Sequence, residues 1–173
     1  IIEDFEISDS IQTLEWGRRR WASNTSLPTG KSLIFTLRGV GQVKDIKIRL
    51  HFDIYDNIPL IRKHMEVLNC GDMPINLDSF KLEYLAFAEP ESPVEEEHPD
   101  KFLHPNIHIE SDFHAGPGFT ERETNCVTHW VQDKEYTSQT SYQLKTPCIL
   151  DASVDMGPDA TVTREKPFAS YKV

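Results

Sequence analysis

The chain has 173 residues, with 18 Lys and Arg against 28 Asp and Glu, a formal charge of −10. That length suits one domain, and the acidic balance excludes a phosphate-backbone or anionic-membrane surface as the main partner, since both need clustered cations. Hydrophobic residues at 38% and charged ones at 27% fit a polar globular chain, and no apolar run nears the roughly 20 residues of a helical membrane span.

The chain opens on Ile1-Ile2-Glu3-Asp4 and closes on an extended-looking Phe168-Ala169-Ser170-Tyr171-Lys172-Val173. The start is expected of a mature chain or a piece of a longer polypeptide, and the strand-like end favours the piece. Only the first twenty residues carry any 3.6-residue period. They also hold Trp16 and Trp21, which flank Arg18-Arg19-Arg20. Beyond them the period is two. Lys31 to Arg38 reads as a strand with Leu33, Phe35 and Leu37 on one face, and Gly39-Val40-Gly41 supplies a turn. Residues 44 to 54 alternate most strictly. Ile46, Ile48, Leu50, Phe52 and Ile54 share one face, and Lys47, Arg49, His51 and Asp53 share the other. The apolar five and Val67 are expected to be mostly buried.

Asp56-Asn57-Ile58-Pro59 marks the next turn, and extended chain resumes over Leu60 to Asn69. Asn69-Cys70-Gly71-Asp72 is a tight-turn signal. Strands are expected at 74–78 and 80–87, then an exposed acidic loop at 89–101 broken by prolines. Further strands are expected at 106–112, 126–132, 137–145 and 160–171, with loops at Gly116-Pro117-Gly118 and Met156-Gly157-Pro158-Asp159. Turn signals every 8–12 residues are the pattern of an antiparallel two-sheet β-sandwich. The expectation is one all-β sandwich domain over residues 1–173. Cys70, Cys126 and Cys148 are odd in number and lack zinc spacing, so three buried, reduced thiols are expected; a Cys126–Cys148 bridge is allowed but not deducible.

The stretch from Ile58-Pro59-Leu60-Ile61-Arg62-Lys63-His64 through Asn69-Cys70-Gly71-Asp72 to Asp78 resembles a hairpin of the large β-sandwich that precedes the catalytic barrel in α-galactosidase-like glycoside hydrolases, family 36 and its relatives. The family's next strand often carries a glutamate near its middle, matched in type by Glu83. The tail, Gly157-Pro158-Asp159 followed by Val162 to Ser170, is similar to the last strand of that sandwich. The resemblance covers about half the chain, and its motifs are structural. It implies a supersandwich of the kind shared with galactose mutarotase, shorter here than in the family. It also implies hydrolytic carboxylates on a separate barrel outside these residues.

No G-x-S-x-G elbow, Walker loop, H-E-x-x-H or calcium loop occurs, and Gly39-x-Gly41 lacks the third glycine of a nucleotide site. The sharpest constellation is His108, Glu110, Asp112 and His114, with His104 upstream. On a strand the four share one face. They could bond sugar hydroxyls, hold a metal ion, supply an acid/base pair, or form a solvated outer row with Ile107 and Ile109 inward. Residues two apart on a strand stand roughly 6.5–7 Å apart, too far for a closed tetrahedral shell, so no metal and no cofactor are expected. Trp16, Trp21 and Trp130 could stack on a pyranose. For Trp130, between Val127 and Val131 in the neighbouring sequence, core packing is the expectation. No acid pair for glycosidic cleavage stands out, and Glu95-Glu96-Glu97 is a poor base for rigid catalysis.

These readings converge on a non-catalytic ancillary β-sandwich of a carbohydrate-active enzyme. The expected partner is the catalytic domain of the same polypeptide. Carbohydrate is a candidate ligand, with Trp16, Trp21, His108, Glu110, Asp112 and His114 as the contacts. Neither nucleic acid nor membrane is an expected partner. The rivals are an aldose-epimerase-like enzyme domain and a free-standing carbohydrate-binding module.

Overall fold

The computed structural model describes residues 1–9, 28–87, 107–117, 120, 123, 125–133 and 147–173. Among them the fold is all-β and sandwich-like, built from antiparallel sheets. The strands are β1 (Ile2–Ser8), β2 (Gly30–Arg38), β3 (Ile46–Tyr55), β4 (Ile58–Asn69), β5 (Ile75–Leu77), β6 (Lys81–Ala86), β7 (Thr128–Gln132), β8 (Pro147–Ser153), β9 (Ala160–Val162) and β10 (Phe168–Ala169). One five-stranded sheet runs in the order β1-β2-β3-β4-β10, one three-stranded sheet in the order β6-β8-β7, and β5 pairs with β9. The chain divides into two compact units: Ile1–Asn76 with Thr161–Lys172, and Leu77–Ala160 with Val173.

In the first unit the strands lie where alternation and turn residues put them. A 3-10 turn over Gly41–Val43 joins β2 to β3, and Asn57, at φ 61°, turns β3 into β4. Asparagine tolerates that left-handed conformation better than most residues. The predicted turn after β4 is built on Asn69, which is buried. Its Oδ1 accepts from the Gly71 N–H at 3.0 Å, and its Nδ2 donates to the carbonyls of Met73 (2.7 Å) and Val162 (3.1 Å). One side chain therefore closes the turn and ties in the distant β9. β10 is held likewise, with the Ser170 Oγ accepting from the Met65 N–H and the Ser170 N–H donating to the Met65 carbonyl, both at 2.9 Å.

Two expectations are corrected here. β1 is a strand that the sequence did not announce. The burial of the sheet also differs from the alternation's forecast: of the six apolar residues expected inside, only Val67 is buried, Ile54 is exposed, and the other four are half-buried. From the opposite face of the same strands, His51, Asp53 and Ser32 are buried instead. Alternation fixes which side chains share a face, not which face is covered.

In the second unit, Leu82, Val127, Ile149, Leu150 and Ala152 are buried. Lys81 donates to the Asp151 carboxylate, and the Ser153 Oγ donates to its Oδ1 at 2.6 Å. Trp130 is half-buried, with its ring 5.6 Å from that of Phe87. Residues 107–111 carry no strand, against the expectation for 106–112. Strands at 126–132 and 160–171 are found over shorter spans, and the latter is broken between β9 and β10. The expected acidic loop at 89–101 and strand at 137–145 lie outside the described residues. Cys70 is exposed rather than buried, and both it and Cys126 are free thiols, so Cys126 makes no bridge to Cys148.

Candidate functional site

His108, Glu110, Asp112 and His114 do lie together, but on irregular chain in place of a strand. With Phe113 and Asn125 they help to line an open groove of about 640 Å³. His108 Nε2 and Glu110 Oε1 meet at 2.8 Å, with both side chains largely in solvent. Without the strand's straight spacing, two residues separated by one can turn toward each other. Among the described residues no three His, Cys, Asp or Glu side chains converge on a point that would hold an ion. The groove thus offers polar groups and the half-open ring of Phe113 to a ligand, without a buried acid or base. An exposed pair of this kind adds little to stability. His108→Ala is expected to shift the unfolding free energy by less than about 0.5 kcal/mol, measured by urea titration. Trp16 and Trp21, together with His104 and the Arg18–Arg20 run, lie outside the described residues.

The chemistry that the sequence did not single out sits on the polar face of the five-stranded sheet, and strand register builds it. β1 to β4 align Ser8, Ser32, Asp53 and Arg62 in one cross-strand row. The next row is Glu6, Ile34, His51 and His64, and the third is Asp4, Thr36, Arg49 and Glu66. Opposite charges therefore face one another across strands, the favourable cross-strand pairing.

In the first row the Ser32 Oγ donates to Asp53 Oδ1 at 2.6 Å, and the Arg62 Nε donates to Asp53 Oδ2 at 2.9 Å. The Asp53 side chain is 3% exposed and that of Arg62 13%. The Arg62 guanidinium also lies over the Tyr55 ring, 5.5 Å from its centre. Burial pushes the Tyr55 phenol up from its ordinary value, with Arg62 opposing the rise. In the third row Arg49 bridges two strands, reaching Glu6 at 2.9 Å and Glu66 at 3.3 Å. Further out, Lys47 pairs with Glu3 at 2.7 Å, which lowers the Glu3 carboxyl and raises the Lys47 amine. Between the charged rows the His51 and His64 rings stack, with centroids 4.2 Å apart and planes at 16°.

Within these rows Asp53 is paired with Arg62, and Glu6 and Glu66 share Arg49. The available signal was the second alternation, Arg62, His64 and Glu66 against Ile61, Met65 and Val67, lying across a short turn from Arg49, His51 and Asp53.

Compared with known proteins, the chain matches no family model, no curated protein and no solved structure.

Proposed function

We propose that this chain is a non-catalytic β-sandwich module of a larger carbohydrate-active enzyme, seated on the catalytic domain of the same polypeptide through the apolar face of its five-stranded sheet. The observation that carries the docking role is a patch on that face. Phe5, Ile7, Ile54 and Ile61 are 60%, 65%, 56% and 64% exposed. The register puts them on one side, and the rings of Phe5, Phe35 and Phe52 continue across it at 6.4 and 6.1 Å. Scattered apolar residues are ordinary on a surface, whereas a contiguous patch marks an interaction site. The carbohydrate context rests on the resemblance of the 58–78 and 157–170 segments. The groove at His108–His114 adds groups suited to sugar hydroxyls.

Two measurements test the reading. The chain should bind an apolar dye such as anilinonaphthalene sulfonate. The double change Ile7→Lys with Ile61→Lys should remove most of that signal and keep the β-sheet circular dichroism. The chain should also hydrolyse no aryl galactoside and leave the anomerisation of galactose at its spontaneous rate. Anomerisation above that rate, lost in Glu110→Gln or His108→Ala, would replace the docking role with an aldose-epimerase activity.

A further inference from the structure

Among the described residues, the His51–His64 stack is a part of the polar face that its neighbours leave unsatisfied. His51 is 9% exposed. Its Nε2 and the Nδ1 of His64 are enclosed without a hydrogen-bond partner. Buried polar atoms are nearly always bonded, so an open nitrogen on each of two touching rings calls for an explanation.

Among the described residues, the charged groups around the pair come from β3, β4, β1 and the segment after β10. Arg49 and Asp53 flank His51 on β3, and Arg62 and Glu66 flank His64 on β4. Glu6 reaches in from β1 through Arg49. Lys172, in the segment after β10, bears on His64 electrostatically. β2 contributes only the neutral Ser32 and Ile34 on this side. Asp53 is already engaged by Ser32 and Arg62. The carboxylate nearest the open His51 nitrogen is Glu66, whose Oε2 is held by Arg49 at 3.3 Å and stands 3.5 Å from His51 Nε2. That is too long for the neutral hydrogen bond and short enough for an ion pair once the ring carries a proton.

We propose that the two stacked imidazoles work as a single protonation site, taking up one proton at His51 Nε2 against Glu66 and excluding a second from His64, so that strong acid unlatches β3 from β4 at this row. Two imidazolium rings 4.2 Å apart, His51 buried and His64 half-buried, repel each other, and interacting groups of this kind titrate as a pair. The surroundings agree. Burial first, and then His51, hold the His64 imidazole below its ordinary value; Arg62 and Lys172 act in the same direction and Asp53 opposes them. The folded chain thus resists a proton at His64 that the unfolded chain accepts near the ordinary value of 6.5. The stability contributed by the neutral ring is whole above that pH. It is lost as pH falls from there through the lower folded value.

The test is an NMR titration of the ring protons between pH 7.5 and 4.5 in the native protein, His51→Phe and His64→Phe, phenylalanine keeping the stack. In the native protein two separate steps are expected, at least one pH unit apart, with the later one at His64. In His51→Phe the His64 midpoint should rise by at least one unit, a tenfold gain in proton affinity. In His64→Phe the urea midpoint should lose most of its decline between pH 7 and 5. Coincident, independent titration of the two rings in the native protein would overturn the proposal, even if neither variant folds. An unmoved His64 midpoint in His51→Phe would overturn it as well.

Discussion

Asp53→Ala is expected to destabilise the protein by about 3–5 kcal/mol, since removing one partner of a buried ion pair strands the other. Arg62 loses its buried carboxylate: its side chain is 13% exposed, and its Nε and Nη2 both donate to Asp53 Oδ2. The Ser32 hydroxyl loses its acceptor in the same step. The double change Asp53→Leu with Arg62→Leu separates two accounts of that loss. If the cost lies in the uncompensated guanidinium, the double variant should recover most of the stability. If the cost lies in a void, it should recover little. Urea unfolding at pH 7, with the slope checked for constancy, reads both.

Gly39→Ala is expected to cost about 3 kcal/mol, the upper end of ordinary overpacking. A β-carbon on Gly39 would sit 1.9 Å from the Val43 carbonyl oxygen and 2.7 Å from its carbon. Both are backbone atoms of the 3-10 turn, so no side chain can swing aside. Gly41, two residues on, provides the contrast. Nothing lies within 4 Å of its β-carbon position, but its φ is +60°. Gly41→Ala should therefore cost only the left-handed penalty of about 1–2 kcal/mol. Thermal unfolding of the two variants should rank them in that order, and the reverse ranking would mean that the turn relaxes more readily than its backbone contacts indicate.

The sequence made the faces of the central sheet legible. Ile46 to Ile54 do alternate with Lys47 to Asp53 across β3, and the predicted turns at 39–41, 56–59 and 69–72 fall at strand ends, with Ile58, Pro59 and Asn69 taken into β4. The partners across those strands were not legible. Tyr55 pairs with Ile58, yet Ile54 pairs with Ile61, so the ladder slips past Pro59 and Leu60. A reader pairing outward from the turn without that slip would set His51 opposite Arg62. The slip sets it opposite His64, and the stacked pair exists because of it. Since the slip is two residues, every side chain keeps its face while changing its neighbour. The His108–His114 row failed for a different reason. Its alternation of polar and apolar residues mimics a strand, but in the structure Ile107 is exposed and Ile109 half-buried, so no apolar anchor holds that stretch in a ladder.

The ties of Asn69 to Val162 and of Met65 to Ser170 span 93 and 105 residues of chain. The 77–160 segment is in effect an insertion within the sequence of the unit that holds the five-stranded sheet. On a ribosome, β1 to β4 emerge early, but the outer edge of β4 has no β10 to pair with until the whole insertion has been made. Closing so long a loop is entropically slow, and during that delay an open strand edge beside exposed isoleucines is a template for association with other nascent chains. The same architecture means that the yield of folded protein depends on how quickly the 77–160 segment compacts and brings its two ends together.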